Sequence, residues 1–145
     1  MRLTRQTDYA LRTLIYLSLH EDRLCTISEI AETYDISRNH LMKVVQRLGA
    51  LGFAETLQGR SGGLRLARAS EAINVGEVVR AFEDDMALVE CFDPATNECI
   101  ITGACGLQAT LRRALSAFLA VLGEYSLADI ARSQRKLRRL LDAHA

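Results

Sequence analysis

"SRNHLMKVVQRLGALG", residues 37–52, is the stretch whose reading decides the fold. Leu41, Val44, Val45, Leu48 and Leu51 recur at the steps that put apolar side chains on one face of an α-helix. Ser37 stands where a hydroxyl can cap the first turn, and Gly52 where a left-handed residue can end the last. Away from that stripe, the first turns carry Arg38, Asn39, His40 and Lys43. Arg and Asn make bidentate contacts with guanine and adenine, so this helix end has the composition of a base reader. The same residues would also serve as an ordinary solvated helix end, and the flanking segments decide between the two.

Upstream, "TRQTDYALRTLIYLSL" (4–19) reads as a helix, with Ala10, Leu14 and Leu17 on one face beside Leu11 and Ile15. Thr26 followed three residues later by Glu29 is a capping-box pattern, which predicts a second helix over about 28–34 with Ile30 and Ala31 inward. Cys25, isolated between the two helices, reads as a small apolar residue. Downstream, "FAETL" and "LRLAR" flank the glycine-rich "QGRSGG", a hairpin signature. Three helices and then a hairpin within 70 residues is the order of a winged helix-turn-helix. Residues 74–83 form a fourth helix with Val75, Val78, Val79 and Phe82 on one side. In this order Arg60 and Ser61, at the wing tip, can reach phosphate or the minor groove. Arg2, Thr4 and Arg5 at the start of the first helix, and Ser28 at the start of the second, are placed for phosphate. The expected partner is a double-stranded DNA operator.

The net charge of zero conceals a pattern. Residues 1–70 carry ten Lys/Arg against seven Asp/Glu, residues 71–105 one against eight, and residues 106–145 seven against three. A basic N-terminal face suits a polyanion. No run approaches the ~18 apolar residues of a membrane span, and the N-terminal stretch has no continuous apolar segment. No membrane partner or signal peptide is expected, and the protein is expected in the cytoplasm. There is no substrate-pocket motif, Gly-rich nucleotide loop or acid/base pair, so no enzymatic role is expected.

Residues 107–123 read as a longer amphipathic helix. Leu107, Leu111, Leu115, Phe118 and Leu122 step by four, four, three and four, close to a heptad seam, and Ala114, Ala117 and Val121 make a second stripe. Packing inside one domain would use one stripe. A homodimer seam is favoured, because little chain beyond residue 85 remains to cover both. The last segment begins at a Ser126 cap, and its basic end is expected to fray. The fold class is mainly α: a winged helix-turn-helix (1–83), an irregular loop (84–106), then a long dimerisation helix and C-terminal helix (107–145).

That loop contains "CFDPATNECIITGAC", residues 91–105, with cysteines spaced C-x7-C-x5-C. Structural zinc sites favour four ligands in short pairs, and no such pair is present. Three cysteines in the loop, an odd number, in a chain expected in the cytoplasm fit a disulfide framework poorly. An iron–sulfur cluster is the favoured reading, with zinc, a thiol redox switch and inert thiols left open. Three thiolates on a four-iron cube leave one iron for another ligand, and an oxygen ligand there would be held weakly enough for a small gas molecule to attack.

Taken together, "MRLTRQTDYALRTLIYL", "SRNHLMKVVQRLGALGF", the "GRSGGLRLA" wing and the C-x7-C-x5-C loop followed by "GL" resemble the NsrR family of nitric-oxide-sensing repressors, relatives of the iron–sulfur regulator IscR. The resemblance covers essentially the whole chain. It implies a homodimer whose cluster, [4Fe–4S] with [2Fe–2S] as the alternative, is held by Cys91, Cys99 and Cys105. It also implies Asp8, in "TDYALR", as a fourth ligand from the first helix of the other subunit. Asp84 and Asp85 are competing carboxylates, and an i,i+4 ion pair with Arg12 is the other reading of Asp8. Nitric oxide attacking the cluster would relieve repression. The alternative is an IscR-like regulator that senses cluster supply or redox state.

Overall fold

Thr4 starts the first helix by accepting a hydrogen bond from the Thr7 backbone N–H, so one of the orphan donors of the first turn is satisfied. The structure, a computed structural model, describes residues 2–143; Met1, His144 and Ala145, which the domain reading includes, lie outside the described residues. Helix α1 (Arg5–Leu19) buries Ala10, Leu14 and Leu17, the predicted stripe. Helix α2 (Ile27–Thr33) is capped by the Thr26 side chain accepting from the Glu29 N–H, and α3 (Arg38–Ala50) buries Leu41, Val44, Val45 and Leu48.

Two details of α3 differ from expectation. Ser37 is exposed and its hydroxyl makes no bond to the first turn; the Leu41 N–H takes the Ser37 backbone carbonyl instead. Leu51 is 40% exposed rather than inward. It is the C-cap residue, and Gly52 (φ +72°) turns the chain so that Phe53, 1% exposed, fills the core.

Strands β1 (Ala54–Leu57) and β2 (Gly63–Leu66) pair antiparallel, with Ala54 opposite Leu66 and Leu57 opposite Gly63. Cys25 adds a single-residue bridge to β2, exchanging both backbone hydrogen bonds with Leu64. A Cβ at position 63 would lie 2.8 Å from the Cys25 carbonyl oxygen, so this close approach needs glycine. Cys25 itself is fully buried, as its isolation between helices predicted.

Helix α4 (Val75–Phe82) is capped by Asn74 and buries Val75, Val78, Val79 and Phe82. An irregular segment follows, with one 3-10 turn at Glu90–Phe92, leading to α5 (Gly106–Gly123), α6 (Leu127–Ile130) and α7 (Gln134–Asp142). The end of α5 is pinned to the start of α4 by three bonds. Asn74 Nδ2 donates to the Gly123 carbonyl (2.7 Å), Val75 N to the Tyr125 carbonyl (2.9 Å) and Leu127 N to the Ile73 carbonyl (2.8 Å). Ser126 and Asp129 form a reciprocal capping box on α6, and Leu127 is buried in the main core. Helix α7 is docked where fraying was expected. Leu141 packs on the core and the Arg138 guanidinium donates to the Leu19 carbonyl at the end of α1. No helix among the described residues is long and apolar enough to cross a membrane.

The crossing of α4 and α5 leaves no room at Gly76, where a Cβ would sit 2.9 Å from the Gly123 nitrogen. Gly76→Ala is expected to lower stability by ~1–3 kcal/mol, the usual cost of overpacking, as read from a denaturant midpoint. An unchanged midpoint would show that α5 can move away freely.

Candidate nucleic-acid interface and cysteine loop

The apolar stripe of α3 faces α1 and α2, so its other face must point outward. Arg38, Asn39, His40 and Lys43 are all exposed, at the helix end where free N–H groups concentrate. The start of α1 lies against them: Arg5, Gln6 and Tyr9 line one cleft with His40, Lys43 and Val44. Arg60 and Ser61 are exposed at the wing tip, and Ser28 is half-buried in the first turn of α2. The structure therefore brings together Arg5, His40 and Lys43 and leaves all three side chains open to solvent. Two predicted phosphate contacts sit elsewhere. The Thr4 hydroxyl is engaged with Thr7, and its N–H donates to Glu83 Oε1 (2.7 Å). Arg2 lines an apolar groove with Leu3, Met86, Leu88, Leu115 and Phe118, between the segment after α4 and α5.

All four cysteines are free. Cys91, Cys99 and Cys105 are half-buried and each has its own local support. Cys91 lies in the 3-10 turn, where Gln108 Nε2 donates to its carbonyl (2.7 Å) and the Arg112 guanidinium stacks 4.5 Å over the adjoining Phe92 ring. Cys99 closes an Asx turn, its N–H donating to Asn97 Oδ1 (3.1 Å), while the Thr102 hydroxyl donates to its carbonyl (2.8 Å). Cys105 is the N-cap residue of α5. Gln108 and Arg112 escaped the sequence reading, although their spacing of four on α5 was a visible sign of a common face.

Among the described residues, no three of His, Cys, Asp or Glu converge where a metal ion would sit. The donor chemistry nevertheless fits a thiolate-bound iron cluster: three unpaired thiols share one partly exposed loop whose ends are anchored by turns. Cys25 is different in kind, with its thiol pushed up to about 11 chiefly by burial.

Asp8 is half-exposed and forms a bidentate pair with Arg12 (2.8 and 3.1 Å), the i,i+4 arrangement. Of the competing carboxylates, Asp84 is held by Arg47 (2.5 Å), whose hydrogen bond keeps its carboxyl below the usual range. Asp85 accepts from the Ala87 N–H (2.7 Å). On α5, Leu111, Leu115, Phe118 and Leu122 are half-buried while Leu107 and Val121 are exposed, and no residue of the helix is fully buried.

A winged helix-turn-helix with a solvent-facing basic reading end, joined to a half-uncovered helix, is the build of a DNA-binding transcriptional regulator. The chain belongs to the Rrf2 family, whose model, described as an iron-dependent transcriptional regulator, matches residues 3–133. It is 52% identical over 142 residues to the HTH-type transcriptional regulator NsrR of Bacillus licheniformis, covering 97% of this chain and 99% of that one. The identity to the regulator of the same name from Bacillus subtilis is also 52%, covering 97% of each chain. Among solved structures, T. potens IscR aligns with a TM-score of 0.73 at 19% identity over 92% of this chain and 88% of that chain, a likeness of fold.

Three of the four thiols of the native, metal-free protein are expected to alkylate with iodoacetamide, with Cys25 reacting only on unfolding. Peptide mass spectrometry counts them, and rapid labelling of Cys25 in the native state would contradict its burial.

Proposed function

We propose that the protein is a homodimeric repressor that binds double-stranded operator DNA and senses nitric oxide through an iron–sulfur cluster. The observation that carries this reading is the set of three free, half-buried thiols on one loop, joined directly to the long helix of a winged helix-turn-helix. The near-full-length identity to NsrR regulators favours nitric oxide over cluster supply as the signal. Cys91, Cys99 and Cys105 would hold the cluster, most simply [4Fe–4S], with Asp8 of the second subunit at the remaining iron. When bound, the cluster supplies an iron that reacts with nitric oxide.

The rest follows from what this chain's residues can do. The cysteine-rich segment 84–106 joins the reading head, 1–83, to the long helix, whose apolar stripe through Leu107, Leu111, Leu115, Phe118 and Leu122, exposed at Leu107 and half-buried at the other four, pairs the two copies. Residues Ser37, Arg38, Asn39, His40 and Lys43 enter the major groove, while Arg5, Ser28, Arg60 and Ser61 fix register on the phosphates. Two heads must match half-sites about one DNA turn apart, ~34–36 Å. Asp8 has two partners to choose from. In one chain it is paired with Arg12, an exposed contact worth about 0.3–0.5 kcal/mol, so it can be drawn away at low cost. Held across the dimer, it sets the position of one head against the loop of the other subunit. Released, it returns to Arg12 and the heads lose their spacing. A 100-fold loss of operator affinity needs only ~2.7 kcal/mol between the two arrangements.

Asp8→Ala is expected to keep a cluster on the three cysteines, measured by iron content and visible absorption, while weakening operator binding of the loaded protein. Complete loss of iron, or unchanged operator affinity, would reject the cross-subunit role. Arg5→Ala and Arg60→Ala are each expected to reduce the slope of log K against log salt by about 1, measured by fluorescence anisotropy. An unaltered slope would remove that residue from the phosphate contacts.

A further inference from the structure

We infer that Glu83 and Asp84 form the joint through which the cysteine loop positions the reading head of its own subunit, with Arg47 as the positioning residue on α3. This rests on the cluster reading of the loop and adds a route within one subunit to the contact made by Asp8 across the dimer.

The joint is built from two adjacent carboxylates that hold two different helices. Glu83 Oε1 accepts from the Thr4 N–H (2.7 Å) and from the Thr7 hydroxyl (2.5 Å), both at the capped start of α1. Asp84 takes both terminal nitrogens of Arg47, at 2.5 and 3.4 Å. Arg47 is fastened on its other sides as well. Its Nη2 donates to the Ala81 carbonyl (2.8 Å), its Nη1 to Gln6 Oε1 (3.4 Å), and its guanidinium lies 4.9 Å over the Phe82 ring. Both carboxylates come immediately after Phe82, the last residue of α4, where the irregular segment containing the cysteines begins.

The two sides of the contact differ in freedom. The Arg47 side chain is 29% exposed and stacked, whereas Asp84 is 82% exposed. The partner that can leave therefore belongs to the loop, and the partner that stays belongs to the reader. Arg47 lies one helical turn beyond Lys43 on the same rigid helix, so a change in the pull on its guanidinium reaches the base-reading end directly. Asp84 lies seven residues before Cys91, close enough for any rearrangement of the cysteine loop to strain or release it.

The test uses the full-length protein as wild type, Asp84→Asn, Asp84→Glu and Glu83→Gln. The probe is a DNA duplex selected from a random library by the cluster-loaded wild type. The readouts are the ratio of its affinities for loaded and metal-free protein, the thermal midpoint, and hydrogen exchange of residues 83–90 in the metal-free form. Asp84→Asn and Glu83→Gln are expected to compress the affinity ratio by about fivefold or more, the lower end of typical coupling between sites. Both should speed exchange at 83–90; Asp84→Asn should leave the midpoint unchanged, because Asp84 is exposed, and Asp84→Glu should restore the ratio. A merely structural role would lower the midpoint and both affinities together; an intact ratio in both variants overturns the joint. A wild-type ratio of one would sink the sensing reading, and the joint with it.

Discussion

The burial of one face of α1 is the constraint on which the rest of the molecule depends. Leu14 and Ala10 have no exposed surface and Leu17 almost none, and α1 packs on α3, α4, α6 and β2. Each such leucine contributes about 1.5–3 kcal/mol by leaving water. Because α1 is central, its two ends become fixed points on opposite sides of the head. Its start meets the reading end of α3, and its last carbonyls meet α7. Fifteen helical residues span roughly 22 Å, so the basic C-terminal helix stands well away from the base-reading corner.

The long helix α5 is attached to this head by its C-terminal end. The bonds from Asn74 and Val75, with the Ile73–Leu127 bond beside them, fix that end, while Leu107 and Val121 stay exposed along the helix. An apolar helix with no fully buried residue is unsatisfied as a single copy, which is the physical ground for the proposed pairing with its equivalent. The cysteine loop begins and ends on these two bodies. It leaves the head at Glu83 and enters α5 at Cys105, so the segment that carries the three thiols is the link between the winged helix-turn-helix and the long helix.

The acidic middle of the chain acquires a concrete use in this arrangement. Asp85 and Asp93 close turns by accepting from the N–H groups of Ala87 and Ala95, while Glu83 and Asp84 reach back to α1 and α3. These carboxylates shape an irregular segment that has too little apolar surface to fold by burial. Arg38, Lys43 and Arg60 stay exposed, so the surface proposed to face DNA keeps its sign.

The sequence by itself determined the elements. The stripes of α1, α3 and α4, the Thr26 and Ser126 caps and the glycine-tipped hairpin were legible because each rests on interactions within a few residues along the chain. The three loop cysteines were legible as a group for the same reason. Only the tertiary structure decided which surfaces those elements would share. Arg47 reads as one more polar residue of α3 until Asp84, 37 positions away, meets it, and Thr4 reads as a phosphate contact until Glu83, 79 positions away, takes its N–H. Leu51 reads as core until the left-handed Gly52 hands that place to Phe53. Such pairings depend on the closure of long loops around a common core, and their cost and reward are settled together only when the whole chain has folded.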